Sequence, residues 1–598
     1  MQDLFDNLHR KSKENYKFTD LMKYITSANN ILLAYRNIKR NDGSVTVGTD
    51  GLDISYFENM DSNHFVKRIQ SKLQNYHPKS VRKVEIPKPN GKTRPLGIAC
   101  IEDRIIQQCI KQVLEPICEA KFHKHSYGFR PNRSTSHAIA RSMYLMNFNK
   151  LHHVVDVDVK GFFENVNHNK LKKQIWNLGI QDKNLISIIG KILKSEIQGE
   201  GIPTKGTPQG GIISPLLSNI VLNELDWWIS SQWETFETKH KYTSIDNRTG
   251  KENNTNKNKV LKKTNLKEIY IVRYADDFKI FCRDYKVAQK IYSATKSWLK
   301  ERLDLDISTE KSKITNLRRN YTEFLGIMLK VKTKKNKYIC ISRMSDKAKK
   351  QTTIKIKKQI KKIQKNITTQ EVNKLNSIIL GSHNYYKMAT HVSIDFTEIN
   401  FLVTRTLYNR LKSNMKDNPT LSKTYQRLYG EYNGKKYTIL NTTIFPIYGI
   451  KTKPPMNFTQ EISNYTIEGK KLIHDKLGGN LSKLIEYALT NTSEYNSTDY
   501  NDNRVSLIAG QQGKCGITGK YLQIGNMECH HKKPRELGGT DDYNNLIWIC
   551  TDAHKLIHIV LGDTINKYMD KIKLDTKGLK KLNSLRKLVG NSDIQIAS

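Results

Sequence analysis

The chain has no uninterrupted apolar run near the roughly 18 residues that a membrane-spanning helix needs. A crossing helix is therefore not expected, and no membrane is adopted as a partner. Residues Met1 to Asn15 mix charges without an apolar stretch, so the reading is a soluble, intracellular protein with no secretory leader. No CxxC pair occurs among the eight cysteines. Cys100, Cys109, Cys118, Cys282 and Cys340 are scattered, and Cys515, Cys529 and Cys550 gather near the end, so spacing indicates neither a disulfide scaffold nor a redox motif. Acidic residues are also short: 57 Asp and Glu stand against 100 Lys and Arg, a formal balance of +43. That excess points to a polyanionic partner, because each neutralised phosphate releases condensed counterions. Nucleic acid is the first candidate and lipid the second. No internal repeat of fixed period is present.

What is there suits a large multidomain protein. At 598 residues the chain has room for about three to five domains, and 37% hydrophobic residues suffice for several cores. Up to about Asn75 the pattern is helical and polar, with Ile31, Leu32, Tyr35 and Ile38 at helix spacing. From Val81 to about Arg343, short β runs alternate with amphipathic helices, interrupted by a Lys-, Asn- and Thr-rich insertion from Glu234 to Lys267. After Ser345 comes a Lys-rich helical stretch in which Ile356, Ile360, Ile363 and Ile367 form one packing face. The Pro454-Pro455 pair and the apolar-poor stretch from Thr490 to Asn503 mark further breaks, and a compact last module begins near Arg504.

Two constellations carry chemistry. In Val154-Val155-Asp156-Val157-Asp158-Val159 the period of two sends three valines to one face and both aspartates to the other, which predicts an exposed acidic sheet face. Far along the chain, Ile269 to Arg273 and Phe278 to Cys282 bracket Tyr274-Ala275-Asp276-Asp277, a hairpin with two acids at its tip. Carboxylates from two strands can hold a pair of Mg²⁺ ions about 4 Å apart, as phosphoryl transfer to a 3′-hydroxyl requires. In the last module, Glu528-Cys529-His530-His531, then Gly538 to Leu546, then His554-Lys555-Leu556-Ile557-His558 concentrate four histidines and an asparagine. His554 and His558, four apart on a helix, point the same way, and His530 from a hairpin completes a three-histidine site with a fourth position open. His531 is then free as general base, and Asn545 can fix the intervening loop. A purely structural zinc knuckle is the alternative.

These motifs, in this order, resemble the reverse transcriptases encoded inside group II introns, and the last module resembles the HNH, or ββα-metal, endonucleases. The resemblance implies a multidomain α+β protein: a helical N-terminal extension of the fingers (1–75), right-hand reverse transcriptase fingers and palm (76–344), an α-helical thumb or maturase domain X (345–450), a small DNA-binding segment (451–503) and an HNH endonuclease (504–598). It makes Asp158, Asp276 and Asp277 the catalytic metal ligands, with Asp156 a neighbour. Pro87 to Leu96 and Ser126 to Pro131 resemble fingers motifs, so Lys88, Arg94 and Arg130 are expected at template or nucleotide. Phe163 takes the place of the aromatic gate against a ribose 2′-hydroxyl, and Gln209 and Gly210 belong to the nucleotide and template pocket. Lys311 takes the place of a general acid toward pyrophosphate, and Phe324-Leu325-Gly326 that of the primer grip. Gly381 to Tyr386 resembles a thumb motif; Tyr385 and Tyr386 could stack or hydrogen-bond in an RNA complex, but as adjacent aromatics on a helix one is expected to face the core.

The activities implied are RNA-directed DNA polymerisation, splicing assistance and DNA cleavage in target-primed reverse transcription. The partners implied are intron RNA in a ribonucleoprotein, double-stranded target DNA and deoxynucleotides, with a homodimer allowed. The setting is bacterial cytoplasm at the nucleoid, an organellar origin being left open. Magnesium would serve Asp158, Asp276 and Asp277, and a divalent metal His530, His554 and His558. Lys470, Lys471, Lys476 and Lys483 stand in the segment that takes the place of the family's DNA-binding region and could meet phosphates there, solvated lysines being the default reading. Relatives often carry two CxxC pairs beside the HNH site; here Thr518 and Ala553 stand at the pair positions of Cys515 and Cys550, which leaves a structural zinc open. The rival readings are a non-catalytic RNA-binding splicing factor that kept the fold, and a retron-like or other cellular reverse transcriptase.

Overall fold

The computed structural model describes residues 1–87, 93–246, 252–416, 421–474, 481, 484–485, 487–488 and 497–595, without the side chains at 94, 471, 474 and 498. Lys88, Lys476 and Lys483 lie outside the described residues, as do the side chains of Arg94 and Lys471. The chain forms two compact units that interleave in sequence: Met1–Phe122, Phe163–Val221 and Glu461–Ser598 make one, and His123–Phe162 and Leu222–Gln460 the other. Within the second unit, one sheet draws strands from distant stretches of the chain into a single body.

That sheet has four antiparallel strands in the order Ile269–Tyr274, Asp277–Cys282, His153–Val157, Lys313–Asn316. Its strands are rich in Val, Ile and Phe, and Val154, Val155, Val272, Phe278, Ile280 and Phe281 are buried. A three-stranded antiparallel sheet follows, Thr322–Phe324, Ile327–Lys334 and Lys337–Met344. Three helices come next: Asp346–Lys365, Thr369–Tyr386 and Val392–Leu411. The first starts where Ser345 accepts the backbone N–H of Ala348 and buries Ile356, Ile360 and Ile363 on one face, as the spacing predicts. Ile367, expected on that face, falls beyond the helix end at Lys365.

In the other unit, the helix Ala28–Lys39 packs on the long helix Ile101–Glu119, and Arg82–Pro87 and Thr93–Ile98 form an antiparallel hairpin. The last module has its own core, including Ile508, Trp548, Ile549, Ala553, Leu556 and Leu582, and this core reaches back to Leu484 and Ala488. A boundary at Arg504 therefore falls inside the helix Thr498–Gly510, whose Val505, Leu507 and Ile508 belong to the core. The same helix faces Ala28–Lys39: Arg36 lies 3.4 Å from Asp502, Lys39 contacts Asp499, and Arg40 donates to Ser506 at 2.7 Å.

Candidate functional site

The strand His153–Val157 runs antiparallel to Asp277–Cys282, its ladder ending with Val157 opposite Phe278, so that Asp158 and Asp277 are the next residues beyond that pair. Tyr274 pairs with Asp277, which leaves Ala275 and Asp276 as a two-residue turn. Ala275 holds φ at 57°, a conformation an alanine keeps only where its surroundings enforce it. Arg273 supplies part of that enforcement: fully buried, it donates to the Ala275 carbonyl at 2.8 Å and to both carboxylate oxygens of Asp226 at 2.7 to 2.9 Å. The segment around Tyr127 supplies the rest. The Tyr127 N–H donates to the Arg273 carbonyl at 2.9 Å, and Gly128 lies so close to the Ala275 backbone that a Cβ there would collide.

The expectation that Asp156 and Asp158 share an open face is corrected. Asp156 is 8% exposed: it pairs with Lys279 and accepts from Thr322 at 2.9 Å and Thr315 at 3.3 Å, so neighbouring strands cover it. Asp158 is half-exposed, and the exposed Lys311 ammonium lies 3.1 Å from its Oδ2. Burial in the cleft, together with the charges of Asp156, Asp276 and Asp158, pushes the Asp277 carboxyl up to about 6 against the pull of Lys279. Its surface is nonetheless open to water, so Asp277 sits in a crowded concavity rather than in a core. The three acids meet at one edge of the sheet, but their oxygens do not converge within 4.8 Å, as the histidines of the last module do among the described residues. Like-charge repulsion and the Lys311 pair account for the wider spread.

Arg130 was expected at the nucleotide; it is buried, and its Nη1 donates to the carbonyls of His123 at 2.7 Å and Ser126 at 3.0 Å, so it braces its own loop. In the other unit, Phe163, Gln209, Leu96, Gly97 and Lys205 line a single cavity of about 390 Å³. The Gly97 N–H donates to the Gln209 carbonyl at 2.6 Å, and Gly210, at φ 103°, comes so near the Gly97 carbonyl that no side chain fits. Gln209 also donates to Glu164 at 3.3 Å.

The last module is a hairpin, Glu528–His531 with Leu546–Ile549, followed by the helix Thr551–His558. The ligand atoms of His530, His554 and His558 lie within 4.8 Å of one another. His530 Nε2 is buried without a hydrogen-bond partner, and burial, then the neighbouring histidines, lowers this imidazole to about 3. Three imidazoles, one with a buried ring nitrogen unpartnered among the described residues, fit a divalent transition metal. Glu528 Oε2 sits 2.7 Å from His554 Nδ1 and so leaves Nε2 for such an ion.

His531 points elsewhere. Its Nε2 lies 2.8 Å from Asp541 Oδ1, and its ring stacks on Tyr500 at 5.3 Å and 9°. Arg535 also holds Asp541, at 2.7 Å. Asn545 accepts from the Lys533 N–H at 2.9 Å and donates to the carbonyls of Lys533 at 3.0 Å and Thr540 at 2.8 Å, closing the loop between the strands. Asp541, Tyr500 and Glu528 were not singled out from the sequence as site residues. Asp541 lies ten residues from His531, and only the proximity of a histidine pair to the Thr540-Asp541-Asp542 run hints at it.

At the end of the helix Thr369–Tyr386, Tyr385 donates to the Leu325 carbonyl at 2.9 Å, and Tyr386 lies beside Gly326. Tyr385 is 36% exposed and Tyr386 half-buried, so neither faces the core as expected; both brace the Phe324-Leu325-Gly326 turn. Lys470 pairs with Asp6.

Residues 86–329 match the family model for reverse transcriptase (RNA-dependent DNA polymerase), and residues 513–558 match that for HNH endonuclease. The chain is 31% identical over 325 residues to Protein YkfC of Escherichia coli (strain K12), covering 51% of this chain and 81% of that protein. It is 32% identical over 366 residues to the group II intron-encoded protein LtrA of Lactococcus lactis subsp. cremoris, covering 55% of this chain and 60% of the relative. It is 26% identical over 178 residues to nuclear intron maturase 2, mitochondrial, of Arabidopsis thaliana, covering 23% and 24%. Among the described residues no helix is long and apolar enough to cross a membrane.

Proposed function

Because the chain belongs to the group II intron-encoded reverse transcriptases and maturases that carry an HNH endonuclease domain, we propose that it copies intron RNA into DNA at a nicked target and makes the nick itself. Support comes from the strand ladder that ends at Val157 and Phe278, the residues next to Asp158 and Asp277, and from the Asp158 charge that acts on the Asp277 carboxyl. Asp158, Asp276 and Asp277 would hold two magnesium ions, and His530, His554 and His558 one divalent ion; bound there, such ions activate the attacking oxygen and stabilise the leaving one. Lys311, next to Asp158, is placed to give a proton or positive charge to departing pyrophosphate. Phe163 and Gln209 line the cavity that takes nucleotide or template, with Gly210 packed against the Gly97 carbonyl beside it and Phe163 excluding a 2′-hydroxyl. Lys88 and Arg94 remain proposals for the triphosphate, whereas Arg130 shapes its loop.

At the nuclease, a ββα-metal module in this reading, Asp541 holds His531 through Nε2, which leaves Nδ1 to take a proton from the attacking water. Asn545 keeps the intervening loop in register. The three helices from Asp346 to Leu411 act as thumb and maturase domain X, bearing lysines toward intron RNA, and the segment 451–503 approaches target DNA. The protein acts in a ribonucleoprotein with that RNA. Primer extension on an RNA template with Mg²⁺ tests the polymerase: wild type makes cDNA and Asp276→Ala does not. Absence of cDNA from the wild type, with splicing assistance retained, would establish the non-catalytic splicing factor instead.

A further inference from the structure

Cys515 and Cys550, 35 residues apart, bring their sulfurs within 3.8 Å of each other. The lack of a CxxC spacing concealed this pair, because the chain returns to it only after the whole hairpin. Cys515 opens a tight turn, and the backbone N–H groups of Thr518 and Cys550 both donate to its sulfur at 3.4 Å. Cys550 is the N-cap of the helix Thr551–His558, which carries His554 and His558.

A closed metal shell would need two more ligands. The positions that could supply them hold Thr518 and Ala553. Among the described residues, no third His, Cys, Asp or Glu side chain joins the two sulfurs at ligand distance. What remains is a dithiol. A disulfide bond is about 2 Å long, so closing this gap asks for a small side-chain rotation in each residue rather than movement of a segment.

We propose that Cys515 and Cys550 form an oxidisable pair that hydrogen peroxide converts to an intramolecular disulfide tying the Cys515 turn to the helix of the nuclease histidines. The Cys515 thiolate attacks one peroxide oxygen: an S–O bond forms, the O–O bond breaks, and hydroxide leaves and is protonated to water. The Cys550 sulfur then attacks Cys515 Sγ: an S–S bond forms, the S–O bond breaks, and the hydroxyl leaves as a second water with the Cys550 proton. Two sulfurs lose two electrons in all, and one peroxide becomes two waters. Peroxide suits the site because Cys515 is buried and Cys550 half-buried, which keeps out larger oxidants.

The other thiols set the pair apart. Burial pushes Cys109, Cys118, Cys282 and Cys340 up, which holds them protonated and unreactive. Cys515 moves the other way, held down first by its hydrogen bond with Cys550 and then by Thr518.

The test treats the full chain with a small excess of hydrogen peroxide and maps its peptides without reduction. The expected product is one crosslinked peptide pair joining Cys515 to Cys550, lighter by two hydrogens, reversed by dithiothreitol and absent from Cys550→Ser and from Cys515→Ser. Its formation should raise the thermal midpoint of the nuclease module by about 3 °C or more, through the loop it closes. Should Cys515→Ser fail to fold, the half-buried position in Cys550→Ala serves alone. Oxidation of Cys515 to sulfinic acid without a crosslink, or survival of both free thiols, would overturn the proposal. So would zinc in the untreated protein, by elemental analysis, that both serine variants lose, since the sulfurs would then belong to a metal shell.

Discussion

Arg273 and Asp226 form a two-pronged ion pair with both side chains 1% exposed, directly behind the turn that carries Asp276. The same guanidinium also takes the carbonyl of Ala275, so one buried cation links a helix to the left-handed residue of the turn.

Removing one partner strands the other. Asp226→Ala should lower the stability of the palm unit by about 3 to 5 kcal/mol, because an unpaired buried guanidinium is left behind. Urea unfolding followed by fluorescence measures it. A loss under about 1 kcal/mol would mean that water reaches Arg273 and the turn is held otherwise.

At the acid edge, Lys311→Ala should slow nucleotide addition by about 10- to 100-fold, as loss of a proton donor does. Its KM for deoxynucleotide should change less than kcat, and DNA cleavage should stay at the wild-type rate. Single-turnover primer extension separates these quantities. An unchanged kcat would reduce the contact with Asp158 to a surface ion pair.

The nuclease makes a graded prediction. His531→Ala should abolish cleavage of the DNA strand, and Asp541→Asn should reduce it by about 10- to 100-fold by releasing the orientation of His531. Chelation should remove the activity of the wild type, and Mg²⁺ or Mn²⁺ should restore it. Polymerisation by both variants should be normal on a preformed primer. Equal cleavage by Asp541→Asn and wild type would leave Asp541 as a partner of Arg535 alone.

Asp502 predicts a dependence on pH. Burial pushes its carboxyl up to about 6, against the opposing charges of Arg36, Arg40 and Lys39. A folded value above the unfolded one means that ionisation costs stability: the penalty is full well above pH 6 and is relieved as pH falls toward about 4. Asp502→Asn should therefore melt higher than wild type near pH about 7.5, with the difference shrinking by pH about 5. Scanning calorimetry at both values reads it. A variant less stable at the higher pH would assign the net effect to the Arg36 pair instead.

Much of this was legible beforehand, for local reasons. Alternation around Asp158 and the bracketing of Tyr274 to Asp277 by β runs locate the acids because strand period and turn length are short-range properties. Four-residue spacing likewise puts His554 beside His558. The partners that make these groups usable were not legible. Asp226 meets Arg273 across 47 residues, Thr322 covers Asp156 across 166, and Tyr385 reaches Leu325 across 60. None leaves a periodic trace, since each depends on how whole elements pack. Arg130 and Lys470 show the same limit: the loop carbonyls and the Asp6 carboxylate they meet follow from packing, not from any local pattern.

The helix Thr498–Gly510 serves two masters, giving apolar residues to the nuclease core and Asp499 and Asp502 to the basic edge of Ala28–Lys39. A nuclease grafted onto another polymerase at Arg504 would therefore leave part of its own interior behind. One cut upstream of Leu484 would keep that interior but arrive with two nearly buried acids lacking their cations. Recombination between relatives can exchange this ending freely only if the recipient's first helices already carry the matching charges.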